Sequence, residues 1–515
     1  MIEDARSLWE LIERRAADSP HAVLGVDEDG RTMTFDEYRA ASEVAAAGLQ
    51  ALGVGEDTPV SWQLPTWLES IVLVGGLSRV GAVQNPILPI YRDREVGFVT
   101  RQTGARMLIV PSRWKGFDYE GMAQAIAEGQ PGLEVLVVDK KLPEADPGTL
   151  PPALTPPDDP GDLPVRWVFY TSGTTADPKG ARHTDRTIMA SAYGMAVALE
   201  LTADDTGALA FPFTHIGGIG LLCAALMSGS RTVVIEAFDP PTTIPLLQRE
   251  GVTLAGSGTP FHMAYLAAQR EQPDTPLFPD VRAFPGGAAA KPPQLHYDIV
   301  SEMGGVGVVS GYGLTECPII TMGAVRDSDE HLAHTEGSAT PGVEIKVVTL
   351  EGKLAGPDEE GEIRARGPQL FRGYLDSTLD ADAFDGEGFF RTGDLGTLDA
   401  EGYITITGRL KDVIIRKGEN ISAKEVEDLL FTSPAVADVA VIGLPDDRSG
   451  ERACAIVVPA DPEAPPTLTD LFDFCSDAGL MTQKIPEQLE IVDVLPRNAT
   501  GKVLKHELRT QYAPE

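Results

Sequence analysis

Cysteine is sparse: four in 515 residues (Cys223, Cys317, Cys454, Cys475), with no Cys-x-x-Cys pair. That spacing supports neither a disulfide framework nor a cysteine-rich zinc site, and a reducing cytoplasm fits it best. Positive charge is short as well. The chain carries 42 Lys and Arg against 77 Asp and Glu, a net charge of −35, so its long-range field repels nucleic acid and anionic membrane surfaces. No nucleic-acid partner is expected. No window approaches the ~18 uncharged apolar residues of a membrane span, and the first six residues, Met-Ile-Glu-Asp-Ala-Arg, lack the basic start and apolar run of a secretion signal. Neither a span nor an export signal is expected. Three signatures are also missing. There is no Gly-x4-Gly-Lys-Ser/Thr loop and no Gly-x-Ser-x-Gly elbow, and the nearest approach to Gly-x-Gly-x-x-Gly, Gly305 to Ser310, ends in serine without an acidic ribose reader ~20 residues on. P-loop NTPases, serine esterases and dinucleotide oxidoreductases are thereby disfavoured.

What is present describes an ordinary folded chain. Hydrophobic residues make up 43% and charged residues 23%, far from the composition of disorder. Leu8, Leu11 and Ile12 recur at helical spacing, and Thr34 to Glu37 reads as a capping box opening a second helix that Gly53 closes. Short apolar runs at Val60–Leu64, Met107–Val110 and Val135–Val138 alternate with helical stretches such as Glu69–Val80, which predicts α/β layering around a largely parallel sheet. Eight prolines between 143 and 164 exclude continuous helix or central strand there and predict an extended connector. From 340 to 407, β-prone runs separated by glycine turns predict a small antiparallel, β-barrel-like subdomain. After Arg409 the pattern becomes short strands and helices again, an α+β unit of about a hundred residues.

Lysine is scarce, 13 residues with the first at Lys115, so its positions carry information. The segment Val168 to Gly180 runs from an apolar strand into Thr171-Ser-Gly-Thr-Thr-Ala-Asp-Pro-Lys179. Glycine lets backbone N–H groups converge on an anion, the hydroxyls add donors, and Lys179 adds an ammonium, a combination suited to phosphate. Further along come Pro285-Gly-Gly-Ala-Ala289, Gly311-Tyr-Gly-Leu-Thr-Glu316, Arg391-Thr-Gly-Asp394, Gly408-Arg-Leu-Lys-Asp412 with the loop to Glu427, and Pro496-Arg-Asn-Ala-Thr-Gly-Lys502. Each alone has a bland reading as a turn or a solvated charge. In this order, they resemble the successive signatures of the adenylate-forming superfamily, which includes acyl-CoA synthetases, the adenylation domains of peptide synthetases and luciferases.

The resemblance implies a large N-terminal domain of layered α/β subdomains plus the small β subdomain, residues 1–408, and a small mobile α+β lid, residues 409–515, hinged near Lys411. It places ATP on Thr171, Ser172, Gly173, Thr174, Thr175 and Lys179, with Gly287, Ala288, Gly311, Tyr312 and Gly313 around the adenine. It places Thr315 on the phosphates, Glu316 on Mg²⁺, Asp394 on the ribose hydroxyls and Arg409 near the nucleotide. The implied catalytic set is Lys502, Thr315, Glu316 and His215. A mobile ammonium at Lys502 would counter the charge that builds when a carboxylate attacks the α-phosphate. Lys411, Lys417 and Gly418 fall on the hinge and the access route of coenzyme A. Lys424, in the same basic stretch, reads as a solvated charge.

For the acid, the resemblance points to Thr214–Gly220, Gly256–Phe261 and Gly286–Ala290, with His215, Ile216, Gly217, Gly218, Gly258, Gly286 and Gly287 lining the acyl site. His215 stands at a gating aromatic position where amino-acid-activating domains keep an acid, which disfavours an amino acid substrate. These small, apolar segments carry no obvious cation, so a roomy, neutral pocket is expected. Local stretches from Gln84 to Val96 are similar to bacterial ligases for cyclohexanecarboxylate-like acids and to actinobacterial acyl-CoA synthetases, implying an alicyclic, aromatic, fatty or steroid-side-chain acid. No carrier-protein segment follows Lys502, which favours free coenzyme A over a carrier protein or amine as acceptor. The partners expected are therefore the acid, ATP and coenzyme A, with a homodimer one compatible assembly. A non-catalytic relative would be expected to have lost Lys502, Glu316 or Asp394, and all three are present.

Overall fold

The computed structural model describes residues 1–171, 178–287, 289, 291–416, 419–446, 448–498 and 501–513. The helix Phe35–Ala51 starts where the capping box places it: Thr34 Oγ1 accepts from the Glu37 N–H at 3.2 Å, and Glu37 Oε2 accepts from the Thr34 N–H at 2.8 Å. It packs with helices Leu8–Asp18 and Leu68–Val80 in one core that also holds Trp62, Trp167 and Phe213. Burying side chains of this size stabilises by roughly 2 to 3 kcal/mol each before entropy is counted.

Two sheets form the frame of the N-terminal part. One has the order Thr206–Leu209, Arg231–Val234, Val23–Val26, Thr32–Thr34, parallel except for its last pair. The other runs Lys179–His183, Trp167–Thr171, Val83–Pro86, Pro59–Trp62, Met107–Val110, Glu134–Val137, and is parallel except for its first pair. Near-continuous apolar strands such as Met107–Val110 are buried at every position, as parallel sheets covered on both faces require. The proline-rich stretch is irregular but for two 3₁₀ turns, each opened by an aspartate accepting a glycine N–H two residues on.

A third sheet, Phe284–Gly287, Val308–Leu314, Cys317–Met322, Ser338–Ala339, mixes parallel and antiparallel pairs. The β subdomain is a four-stranded antiparallel sheet, Glu344–Val348, Gly361–Arg366, Phe390–Leu398, Ile404–Arg409. Glu344–Val348 and Ile404–Arg409 are its outer strands. A 3₁₀ turn, Leu410–Asp412, then leads into the small C-terminal domain. There, Gly450–Pro459 pairs with Val436–Asp446, Ile414–Arg416 and Gln488–Ile491 over a separate core including Val426, Leu430, Val441 and Leu471. Among the described residues no helix is long and apolar enough to cross a membrane.

Candidate functional site

Sheet register assembles the site. The strands Trp167–Thr171 and Lys179–His183 form an antiparallel pair in which Thr171 faces Lys179, so these two close the hydroxyl-rich loop. Parallel pairing sets Gly286 beside Ser310 and Gly287 beside Gly311. In the β subdomain, Asp394 and Arg409 are cross-strand partners. Of the residues named from the sequence, Ser172, Gly173, Thr174, Thr175, Ala288, Lys417 and Gly418 lie outside the described residues.

Asp394 is buried and engaged at both oxygens: Tyr312 Oη donates to Oδ2 at 2.8 Å, and Arg409 Nε to Oδ1 at 2.6 Å. An ionised carboxylate offers about four lone-pair sites, so the two sites left are available to a pair of hydroxyls. Burial and the neighbouring Asp394 charge push the Tyr312 phenol well above its ordinary value, so Tyr312 is always the donor. The network joins two motifs that lie far apart in sequence. Replacing Asp394 by Asn should raise KM for ATP about tenfold to a hundredfold, as expected for losing charge-assisted bonds. An ATP titration checks this, and an unchanged KM would remove Asp394 from the nucleotide site.

Tyr312, Gly311, Gly313, Asp394, Arg409, Lys411 and Lys502 all line one cavity of about 620 Å³ between the N-terminal part and the C-terminal domain. Lys502 arrives on a turn in which its N–H donates to Asn498 Oδ1 at 2.9 Å. The preceding Gly501 has φ +83°, and a Cβ there would lie 2.7 Å from Pro260 Cγ, so only glycine lets the loop seat on the N-terminal part this closely. Burial, then the positive Arg409, lower the Lys502 ammonium to about 8. Lys411 is lowered by the same two causes.

Thr315 and Glu316 sit in the tight turn between paired Leu314 and Cys317. The Thr315 carbonyl accepts from His183 Nε2 at 2.8 Å, while His183 Nδ1 meets Thr187 Oγ1 at 2.9 Å. Burial lowers His183 to about 4, so it is neutral and carries its proton on Nε2. Glu316 is buried and makes no ion pair among the described residues; Tyr374 Oη donates to its Oε1 at 2.7 Å. Burial raises its carboxyl, opposed by Tyr374, Lys179 and Arg409. No group of three or more His, Cys, Asp or Glu placed to hold a metal ion exists among the described residues. A single buried carboxylate without a cationic partner fits a Mg²⁺ ion whose other ligands are phosphate oxygens and water.

His215 caps the helix Ile216–Ser228, with Nδ1 accepting from the Gly217 N–H at 3.1 Å. Burial lowers it to about 4, so at neutral pH its ring is uncharged. With Thr214, Ile216, Thr315 and Tyr170 it lines a cavity of only about 20 Å³, room for one water. The other two segments expected at the acyl site do not line this small cavity; Thr259, Pro260 and Ala289 line the 620 Å³ one instead. Gly258, Gly286 and Gly287 are spent on close packing instead: a Cβ on Gly286 would lie 2.8 Å from His262 Cε1, and one on Gly287 2.7 Å from the Gly311 oxygen. Among the described residues, no charged side chain lines this small cavity. Lys424, read as solvated, is largely buried and paired with Asp428 at 2.5 Å. Tyr374 and His183 belong to no motif; each acts on a motif residue through a contact that only the folded chain creates.

The family description "AMP-binding enzyme" matches residues 12–375, and "AMP-binding enzyme C-terminal domain" matches residues 425–502. The chain belongs to the AMP-binding enzymes. A medium-chain fatty-acid–CoA ligase of Escherichia coli (strain K12) is 33% identical over 98% of this chain and 90% of its own. A salicyl-AMP ligase / salicyl-S-ArCP synthetase of Mycobacterium tuberculosis (strain ATCC 25618 / H37Rv) is 31% identical over 93% of this chain and 85% of its own. The crystal structure of ATP-bound MatB from Rhodopseudomonas palustris superposes with a TM-score of 0.87 at 27% identity, covering 98% of both chains. Both parts of this AMP-binding enzyme, and the cavity between them, fall within that correspondence.

Proposed function

We propose that this AMP-binding enzyme couples a hydrophobic carboxylic acid to coenzyme A: ATP and the acid give acyl-AMP and pyrophosphate, and the thiol then displaces AMP to give acyl-CoA. It is an AMP-forming acid–thiol ligase. The observation that carries the reading is the convergence of Tyr312, Asp394, Arg409 and Lys502 on one cavity from widely separated segments. Asp394 holds the ribose through its two free lone-pair sites, and Gly287 and Gly311 provide a flat backbone floor for the adenine. Lys179 faces the phosphates. Glu316 would hold Mg²⁺, which when bound offsets phosphate charge and aligns the α-phosphate. Lys502 stands where charge builds as the acid's oxygen attacks and pyrophosphate leaves.

The acid enters beside His215, whose neutral ring and apolar neighbours Ile87, Leu88 and Phe169 favour a hydrocarbon-rich acyl group; the cavity of about 20 Å³ there must widen to admit it. For the second step the C-terminal domain pivots at Leu410–Asp412, withdrawing Lys502. Four free, buried thiols support a cytoplasmic setting. The salicyl-AMP ligase relative supports a second reading in which a carrier-protein thiol is the acceptor. Acid-dependent exchange of labelled pyrophosphate into ATP tests the first half-reaction; exchange without any acid, or none with any acid, would contradict it.

The pH dependence follows from the cavity. Lys502 is charged below about pH 8 and neutral above it in the free enzyme, so kcat/KM for adenylation should fall about tenfold per pH unit above 8. His215, lowered to about 4, should add no limb between pH 5.5 and 7.5. A plateau extending to pH 10, or a limb near 6.5, would contradict these assignments.

A further inference from the structure

We propose that Tyr374 is a positioning residue for the ATP phosphates: its hydroxyl fixes the Glu316 carboxylate and its ring fixes the Lys179 ammonium, so that both meet the nucleotide already oriented. The inference rests on the reading above, in which Glu316 holds Mg²⁺ and Lys179 faces phosphate.

Four observations carry it. Tyr374 is buried, and its Oη donates to Glu316 Oε1 at 2.7 Å. A single hydroxyl donor to one oxygen sets the carboxylate's rotation while leaving Oε2 to a cation. Lys179 Nζ lies 5.3 Å from the centre of the Tyr374 ring, within the range where the ring face attracts an ammonium without neutralising it. An acid in that place would pair with the lysine and compete with phosphate.

The backbone around Tyr374 is stitched to both groups. The Leu375 N–H donates to the Gly180 oxygen at 2.7 Å and the Arg182 N–H to the Gly373 oxygen at 3.1 Å, adding 373–375 to the strand that starts at Lys179. The Phe371 N–H donates to the Glu316 oxygen at 2.8 Å. The tyrosine ring is wedged edge-on against Phe371 with centroids 4.8 Å apart, and its N–H donates to Asp380 Oδ1 at 2.8 Å. One five-residue segment therefore ties together two motifs separated by well over a hundred residues, and Tyr374 is where both ties reach functional side chains.

The test separates positioning from packing. Tyr374→Phe keeps the ring and removes the donor; Tyr374→Leu removes both. Mn²⁺ binding in the presence of a non-hydrolysable ATP analogue, followed by the electron paramagnetic resonance of free Mn²⁺, is measured beside thermal melting and the Mg²⁺ dependence of pyrophosphate release. Tyr374→Phe should bind Mn²⁺ about tenfold more weakly, as loss of a hydrogen bond to a charged group implies, with KM for ATP at saturating Mg²⁺ within about twofold of the parent. Tyr374→Leu should also raise that KM several-fold. A folded Tyr374→Phe protein with parental Mn²⁺ affinity would overturn the proposal, whether or not its melting temperature moves. Glu316→Gln distinguishes the two levels: if it weakens Mn²⁺ binding and Tyr374→Phe does not, the positioning role alone falls; if neither does, the Glu316 reading falls with it.

Discussion

Lys502→Ala is expected to reduce acyl-AMP formation by about a hundredfold to a thousandfold, the range for removing one preorganised charge from a developing anion, while thioester formation from supplied acyl-AMP stays within a few-fold of the parent. The asymmetry follows from position. Lys502 shares its cavity with Asp394, Arg409 and Tyr312, and its loop is seated on Pro260 through a glycine that admits no Cβ. In the proposed reaction that closeness would serve the step in which a carboxylate approaches a phosphate, two like charges that water keeps apart. The thiol step joins no second anion to the phosphate and has no use for the ammonium. Rapid-quench measurement of each half-reaction decides the matter, and equal losses in both would contradict the division. Lys502→Arg keeps a charge at all accessible pH, so any activity it retains should lose the decline above pH 8.

Lys411→Pro is expected to leave acyl-AMP formation within a few-fold of the parent and to slow acyl transfer to coenzyme A by a hundredfold or more. Lys411 lies in the turn Leu410–Asp412, within the four residues between Arg409, the last residue of the antiparallel sheet, and Ile414, the first of the C-terminal sheet. With the Lys502 loop occupying the cavity, the thiol needs that loop withdrawn, and a rotation through so short a connection must be absorbed by a few backbone dihedrals. Proline fixes φ at its own position and restricts Leu410 before it. Lys411→Ala, which removes the side chain but not the rotation, should keep both half-reactions within about tenfold. Unimpaired thioester formation by the proline variant would place the pivot elsewhere.

Much of this was legible in the residues because it depends on local rules. The Thr34–Glu37 box, the apolar runs of the parallel sheet, the proline connector and the antiparallel run all follow from spacing and backbone preference. The motif residues stand out in the sequence for a different reason: each combines residue types suited to phosphate, ribose or metal chemistry, and the fold brings Tyr312, Asp394, Arg409 and Lys502 to one cavity. What escaped is what tertiary contact creates. Tyr374 has no local signature, since its worth comes from Lys179 and Glu316 meeting it from other segments. Lys424 sits four residues before Asp428, a spacing that predicts a pair, but its burial comes from the N-terminal part, where Glu336 lies near it. Glycines 286 and 287 carry a tertiary role that size alone does not show: a Cβ on either would fall within 3 Å of His262 or of the Gly311 oxygen.

The central claim, that this cavity adenylates an acid and hands it to coenzyme A, is tested most directly by pyrophosphate release from the purified protein with ATP and Mg²⁺, across aliphatic, alicyclic, aromatic and steroid-side-chain acids, with and without coenzyme A. The account predicts release that depends on one hydrophobic acid class, is accelerated by coenzyme A, and yields the matching acyl-CoA. Release indifferent to coenzyme A with every acid would contradict the thiol step, and no release with any of them would contradict the adenylation itself.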